Sequence, residues 1–238
     1  MDLLGEALHE AFRLLVSGDP YLWKIVARSL HVSGLAVLFG LVVGIPVGTW
    51  LGLARFPGRG IGVALVNTGL ALPPVVVGLF VYVLLSRQGP LGNLNLLYTP
   101  GAMVTAQFLL AAPYVAAITL AAVQTVPPEL RLHARALGAS RWQALLLHLR
   151  EARLSLMAAV AAGFGAVISE VGAVMMVGGN VQGETRVITT AIVLETRRGR
   201  FATAMALGII LLAIAFAANA FITRVQQAQP PRRRPLTS

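Results

Sequence analysis

The sequence predicts an all-α, polytopic membrane protein with five transmembrane helices, and three observations carry that expectation. Hydrophobic residues make up 57% of the 238 positions and charged residues only 12%, about half the charged share of an ordinary soluble domain. Five windows with at most one charge each reach the roughly 20 residues a helix needs to cross a bilayer. The arginines gather between and beyond those windows, where they read as topology signals and not as a soluble basic face with interleaved aromatics, so a nucleic-acid partner is excluded.

The opening stretch, "MDLLGEALHEAFRLLVSGDPYLW", carries Asp2, Glu6 and Glu10 where a signal peptide has a basic region, and its apolar run is short. Residues 1–24 therefore read as an uncleaved amphipathic helix at the membrane surface. The membrane domain follows over 25–225, with spans at Ser29–Ala54, Gly60–Ser86, Gly101–Gln124, Leu154–Val177 and Phe201–Thr223. "VITTAIVL", Val187–Leu194, is too short to cross and reads as an interfacial or re-entrant helix. The basic, proline-rich tail over 226–238 is expected to be disordered and to touch lipid.

In the first span Gly40, Gly44, Gly48 and Gly52 recur every four residues, a stripe that permits close backbone approach and predicts a helix-packing seam, within one subunit or between two. Pro46, the pair Pro73-Pro74, and Pro113 predict kinks in the first three spans. Five spans place the termini on opposite sides. Eleven arginines, from Arg55 to the Arg232–Arg234 run, fall on one side and eight basic residues on the other. The positive-inside rule then puts the N-terminus outside, with the Val126–Arg153 loop and the C-terminus cytoplasmic.

That loop contains "HARALGASRWQALLLHL". Pro127-Pro128 stops the third span, and Glu129 opens a helix with an acid at its positive end. Gly138 and Ala139 supply a turn, and Ser140 with Gln143 three residues on predicts a capping box for a second helix. Trp142, Leu145, Leu146 and Leu149 share one face at helical spacing, with Arg141, His148 and Arg150 around it. Pattern alone fits an amphipathic helix lying on the membrane as well as a docking helix.

"VPPELRLHARALGASRW" resembles the cytoplasmic loop of type I ABC-importer permeases, whose pattern runs Glu-Ala-Ala, then glycine four residues later, then Ile-x-Leu-Pro. The glycine falls on Gly138, while Leu132, His133 and Glu151 depart from the pattern. "LPPVVVGLFVYVLLSRQGPLG", Leu72–Gly92, and "SEVGAVMMVGGNVQGETRVITTAIVLET", Ser169–Thr196, resemble the permeases for tungstate, molybdate and sulfate oxyanions, the second being nearest the tungstate type. The resemblance implies the five-helix permease core working as a homodimer around a central path. It also implies two ABC ATPase subunits, an extracytoplasmic substrate-binding protein, and an inner-membrane location. The coupling helix would then be formed by Gly138, Ala139, Ser140, Arg141, Trp142, Leu145 and Leu146, with Trp142 as the anchor.

No G-x-x-x-x-G-K-[ST] phosphate loop occurs, so ATP and Mg²⁺ are expected to be used by a partner ATPase, and no cofactor is expected on this chain. No catalytic constellation is seen, and with no cysteine and four scattered histidines no metal site is expected. Glu170 is the one Asp, Glu, Lys or Arg inside the windows. It reads either as a gate or as a carboxylate that accepts hydrogen bonds at a helix junction; repulsion of a dianion favours the second. Ser169, Asn180, Thr189 and Thr190 are the neutral groups expected along a path that an anion must be able to leave. Arg197, Arg198 and Arg200 read as an anion guide, a dock for a binding protein, or a solvated helix end. Two other classes remain: an ATP-independent secondary transporter or channel, which predicts inverted repeats that are not visible here, and a membrane anchor for a partner complex, which needs no kinked helices.

Overall fold

Proline, glycine and short polar residues set where each helix begins. In the computed structural model, which describes residues 3–227, Asp19 caps a helix that starts at Pro20, its Oδ1 accepting from the Tyr21 N–H at 2.8 Å. Thr99 and Pro100 repeat the device for the third long helix. The order is α1 (Leu3–Val16), α2 (Pro20–Leu53), α3 (Arg59–Gly69), α4 (Pro74–Leu85), α5 (Pro100–Gln124), α6 (Glu129–Ala136), α7 (Arg141–Glu151), α8 (Arg153–Ile168), α9 (Gly172–Gly178), α10 (Ile188–Arg197) and α11 (Phe201–Gln227). No strand occurs among the described residues.

The bundle is organised around α5. Of its most apolar stretch 61% is buried, against 33% for α2 and 22% for α11, so α5 runs through the interior while the other two present long apolar faces outward. Its most extensive partner is α2, and the glycine stripe makes that contact. A Cβ on Gly40 would lie 3.1 Å from the Ala111 Cβ, and one on Gly44 2.8 Å from the Val115 Cβ. One on Gly48 would overlap the Ala116 carbonyl, and one on Gly52 the Val123 side chain. The seam is therefore internal to one subunit. On its other side α5 meets α8, and residues of α2, α4, α5, α8 and α9 close the main apolar core around Met103, Ala106, Val167 and Val174.

Two of the five expected spans are not single helices. The Gly60–Ser86 window breaks into α3 and α4, bent by 101° at Pro73-Pro74, because the residue before a proline is driven out of the helical region and the prolines withhold their N–H groups. The Leu154–Val177 window breaks into α8 and α9 at 169–171. Three helices are long and apolar enough to cross alone, or up to five if the bent pairs α3–α4 and α7–α8 each count as one. By contrast Pro46 and Pro113 sit inside helices that continue through them. Gly69, whose missing side chain leaves room for the Pro113 ring, seats the end of α3 on α5.

The N-terminal boundary also moves. The first long helix begins at Pro20, inside the expected surface segment, and α1 packs along α11. Beyond Gln227 the expected tail lies outside the described residues.

Gly48→Leu is expected to lower stability by about 1–3 kcal/mol or to prevent folding, since backbone and not a flexible side chain occupies the space. Gly208→Ala, with nothing within 4 Å of its Cβ, is expected to be neutral or mildly stabilising; thermal unfolding of the purified proteins compares the two.

Candidate functional site

The α6–α7 hairpin is built from local signals. The Ser140 hydroxyl accepts from the Gln143 N–H at 3.2 Å while Gln143 Oε1 accepts from the Ser140 N–H at 2.8 Å, the reciprocal pair expected of a capping box. Gly138 takes φ +90°, a left-handed conformation that side chains resist, although a Cβ there would meet nothing within 4 Å. Its requirement is conformational and not spatial. Leu137, just before it, is 89% exposed, and Leu132 on α6 is 64% exposed. Neither was singled out as a contact from sequence; the helix-to-turn transition just before a left-handed glycine was the available signal for Leu137.

The apolar face that periodicity picks out on α7 is largely left free of the bundle. Ala144 and His148 point inward, while Trp142 and Leu146 are exposed. His148, expected among the polar surround, is completely buried because its Nε2 lies 2.8 Å from the Val123 carbonyl oxygen. That carbonyl is in the last turn of α5, where no intrahelical donor is available. A carbonyl only accepts, so Nε2 carries the proton. The hairpin is thus pinned to α5. Trp142 and Leu145 line an apolar recess of about 710 Å³ together with Pro46 and Trp50 of α2. Arg141 lines it too, and Ala139 is half-buried in the turn.

The second cluster surrounds the α8–α9 break. Glu170 is 6% exposed; its Oε1 accepts from the Ala173 N–H at 2.7 Å and its Oε2 from the Val174 N–H at 3.1 Å. The carboxylate caps α9 from within the apolar core. The Val167 carbonyl, freed by the break, accepts from Gln107 Nε2 of α5 at 2.8 Å, and the Glu170 carbonyl accepts from the Thr189 hydroxyl of α10 at 3.0 Å. Thr190 caps α10 through the Val187 N–H. Of the expected path residues, the structure brings Glu170 and Thr189 together as a junction. Ser169 is exposed and turned back to the Gly165 carbonyl, and Asn180 sits in a separate loop.

In that loop Asn180 accepts from Arg186 Nε at 3.1 Å, and Arg186 also donates to Tyr21 at 2.5 Å. Arg186 is 8% exposed, with neutral oxygen partners only. Sequence reasoning counted it as an external topology charge, and its burial follows from the loop folding back on α2. Nearby, Arg198 and Arg200 both pair with the buried Glu195, at 3.3 and 3.4 Å, which removes two of the three charges from the expected guide. Among the described residues no group of three or more potential metal ligands forms.

Residues 44–235 match the family described as binding-protein-dependent transport system inner membrane component. A probable anion ABC transporter permease protein of Haloferax volcanii is 43% identical over 217 residues, covering 89% of this chain and 94% of its own. The tungstate uptake system permease protein TupB of Peptoclostridium acidaminophilum is 40% identical over 227 residues, covering 95% and 100%. Permeases named for molybdenum and sulfate transport are more distant. A bacterial ABC transporter involved in the import of alginate, solved by crystallography, superposes with a TM-score of 0.76 at 20% identity, over 93% of this chain and 84% of that one, a likeness of fold.

Removing the Glu170 carboxylate leaves the α9 N–H groups unpaired in a low-dielectric core. Glu170→Ala is expected to cost about 1–3 kcal/mol, seen as a lower unfolding temperature. Glu170→Gln keeps one acceptor and is expected to lose less; equal stability of the alanine variant and the parent would contradict the capping role.

Proposed function

This chain belongs to the binding-protein-dependent transport system inner membrane components, and from that membership we propose that it is the permease of an ATP-driven importer of tungstate. The observation that carries the substrate is the 40% identity, over the full length of the relative, to a permease named for tungstate uptake. The relative of Haloferax volcanii, named only for an anion, agrees in charge class. Molybdate and sulfate are the alternatives within the class.

In this reading two copies of the chain enclose the path, two ATPase subunits bind below, and a substrate-binding protein delivers the anion from outside. ATP and Mg²⁺ are used on the ATPases. The end bearing α6 and α7 is cytoplasmic and the N-terminus is external, in keeping with the larger share of arginines at the hairpin end.

The hairpin is the contact with the ATPase, and its projecting tip is Leu137, with Ala139 to Leu146 along the following turn and helix. A large exposed apolar side chain at a rigid turn is the kind of anchor that fills a pocket on a partner. Displacement of the tip reaches the membrane by two routes. His148 holds α7 to the end of α5, and only Ala152 separates α7 from α8. Both α5, through Gln107, and α8, at its end, meet the junction capped by Glu170. ATP-driven movement of the hairpins therefore shifts two of the helices that meet at the broken segment, which is how packed helices exchange an outward for an inward opening.

Reconstitution of the chain with its ATPase and binding protein in vesicles tests the proposal. ATP-dependent tungstate accumulation is expected, and uptake that proceeds without ATPase or ATP would establish a channel or secondary transporter instead. Binding of tungstate, molybdate and sulfate to the isolated binding protein ranks the anions. Leu137→Asp and Gly138→Val are each expected to reduce ATP-driven uptake at least about tenfold while the permease still folds, the first by placing a charge in an apolar pocket and the second by straining the turn. Full coupling in both would remove the hairpin from the contact.

A further inference from the structure

Where α2, α5 and the hairpin meet, two recesses share Leu53, Arg55, Pro128 and Arg131. The inner one, about 260 Å³, is completed by Arg59 of α3 and by the buried His148 among others. The outer one, about 520 Å³, adds Arg135 and Arg141. Five arginines line the two recesses, Arg59 and Arg131 half-buried and Arg55, Arg135 and Arg141 exposed, and among the described residues no carboxylate lines either recess.

Helix ends do not balance that charge. The C-termini of α2 and α5 face this end of the bundle, but each contributes only about half a negative unit, against five full positive ones. The protein also leaves donors and polar atoms unsaturated. Arg59 donates Nε to the Leu51 carbonyl at 2.7 Å, and among the described residues the Nε–H of Arg131 is buried without a partner, as is Nδ1 of His148, which with Nε2 protonated is an acceptor. Elsewhere the fold treats its arginines differently: Arg198 and Arg200 share Glu195, and Arg186 is surrounded by neutral oxygens. A cluster of arginines with a buried free donor and no acid in the recesses it lines fits a multivalent oxyanion, which accepts several charge-assisted hydrogen bonds at once. The inner volume falls below the roughly 300 Å³ at which drug-sized sites begin, so the occupant is a small group.

We propose that the inner recess binds a tetrahedral oxyanion of charge near −2 through Arg55, Arg59 and Arg131. The same chemistry is offered by a free anion such as tungstate or orthophosphate and by the phosphomonoester headgroup of phosphatidic acid. With the hairpin end cytoplasmic, the site senses anion on the side to which cargo is released. It abuts His148, the pin between α7 and α5, so occupancy bears on the element that moves.

The full chain in nanodiscs of phosphatidylcholine is titrated with tungstate, and separately with orthophosphate, by calorimetry. A parallel preparation contains phosphatidic acid and is examined by native mass spectrometry for retained lipid. The parent protein is expected to bind tungstate or orthophosphate with salt-sensitive affinity, or to retain phosphatidic acid. The double variant Arg55→Gln/Arg131→Gln is expected to weaken that binding at least about tenfold, given the strength of hydrogen bonds to charged groups. Arg87→Gln, which removes an exposed charge outside the recess, leaves it unchanged. Direct anion binding in phosphatidylcholine identifies the free anion as ligand; retention of phosphatidic acid without anion binding identifies the lipid. Should the double variant unfold, Arg55→Gln alone, at an exposed position, gives the reading, with at least a threefold loss expected. No binding of any of the three, or equal binding by parent and variants, overturns the proposal. The measurement needs neither ATPase nor transport, so a chain that carried a different solute would still show the site.

Discussion

Close approach of α2 to α5 is the constraint on which the other contacts depend. Inside a bilayer the lipid tails are as apolar as leucine, so helices gain little from hiding apolar surface and associate through close packing and hydrogen bonds. Four glycines in register let the α2 backbone reach Ala111, Val115, Ala116 and Val123, and Gly44 and Gly48 leave no room even for a methyl group. With α2 seated on one side and α8 on another, α5 becomes the buried hub. It then presents Gln107 to the break between α8 and α9 and the Val123 carbonyl to His148. A shift of α5 along the seam would move both contacts together. That linkage is why the two clusters, one at the hairpin and one at the junction, belong to a single mechanical unit.

A helix broken inside a membrane must satisfy the backbone groups it frees, because no water is present to do so. The α8–α9 junction solves this with side chains from three elements: Gln107 of α5, Glu170 of the break itself and Thr189 of α10. A carboxylate is costly in such a place, yet it accepts two N–H groups at once, and the positive end of α9 adjoins it. Enclosed to this degree, Glu170 meets a passing anion only if the junction opens. The repulsion that argues against a carboxylate in an anion path is thereby weakened, because the Ala173 and Val174 N–H groups and the positive end of α9 offset the charge locally.

Local features were legible in the sequence because they are written within a few residues of one another. Ser140 and Gln143 announce the start of α7, and the glycine stripe announces a seam. The length of α2 and the α8–α9 break were not legible, and of the α3–α4 break only a kink at Pro73-Pro74 was, not its 101° bend. A hydropathy window reports composition, and "GLALPPVVVGL" is as apolar across the break as within either helix. His148 and Arg186 were misplaced for a related reason: their partners, Val123 and Tyr21, lie 25 and 165 residues away. A polar residue whose partner is distant reads as a surface residue until the fold supplies the acceptor. The same limit applies to the expected path residues, since Thr189 and Thr190 carry hydroxyls suited to an anion but spend them on backbone groups of this chain.

The treatment of charge differs between the two ends of the bundle, and the difference bears on direction. At the end carrying Arg186, Arg198 and Arg200, a buried carboxylate or neutral oxygens take up the guanidinium donors. At the hairpin end the guanidinium groups stand together without acids in the recesses they line. A field of this kind falls off over about 8 Å at physiological ionic strength when exposed to solvent, and less steeply inside a recess of low dielectric. In the proposed transport reading it would draw an anion that had already passed the junction and do little for one still outside. Entry at the other end would then depend on delivery by a partner, and release from the hairpin end would have to overcome this attraction. A local field cannot drive accumulation, because whatever it gains by attracting the anion it returns on release. It can order the positions an anion would occupy, and under the proposed reading the work of moving it uphill would enter through the hairpin.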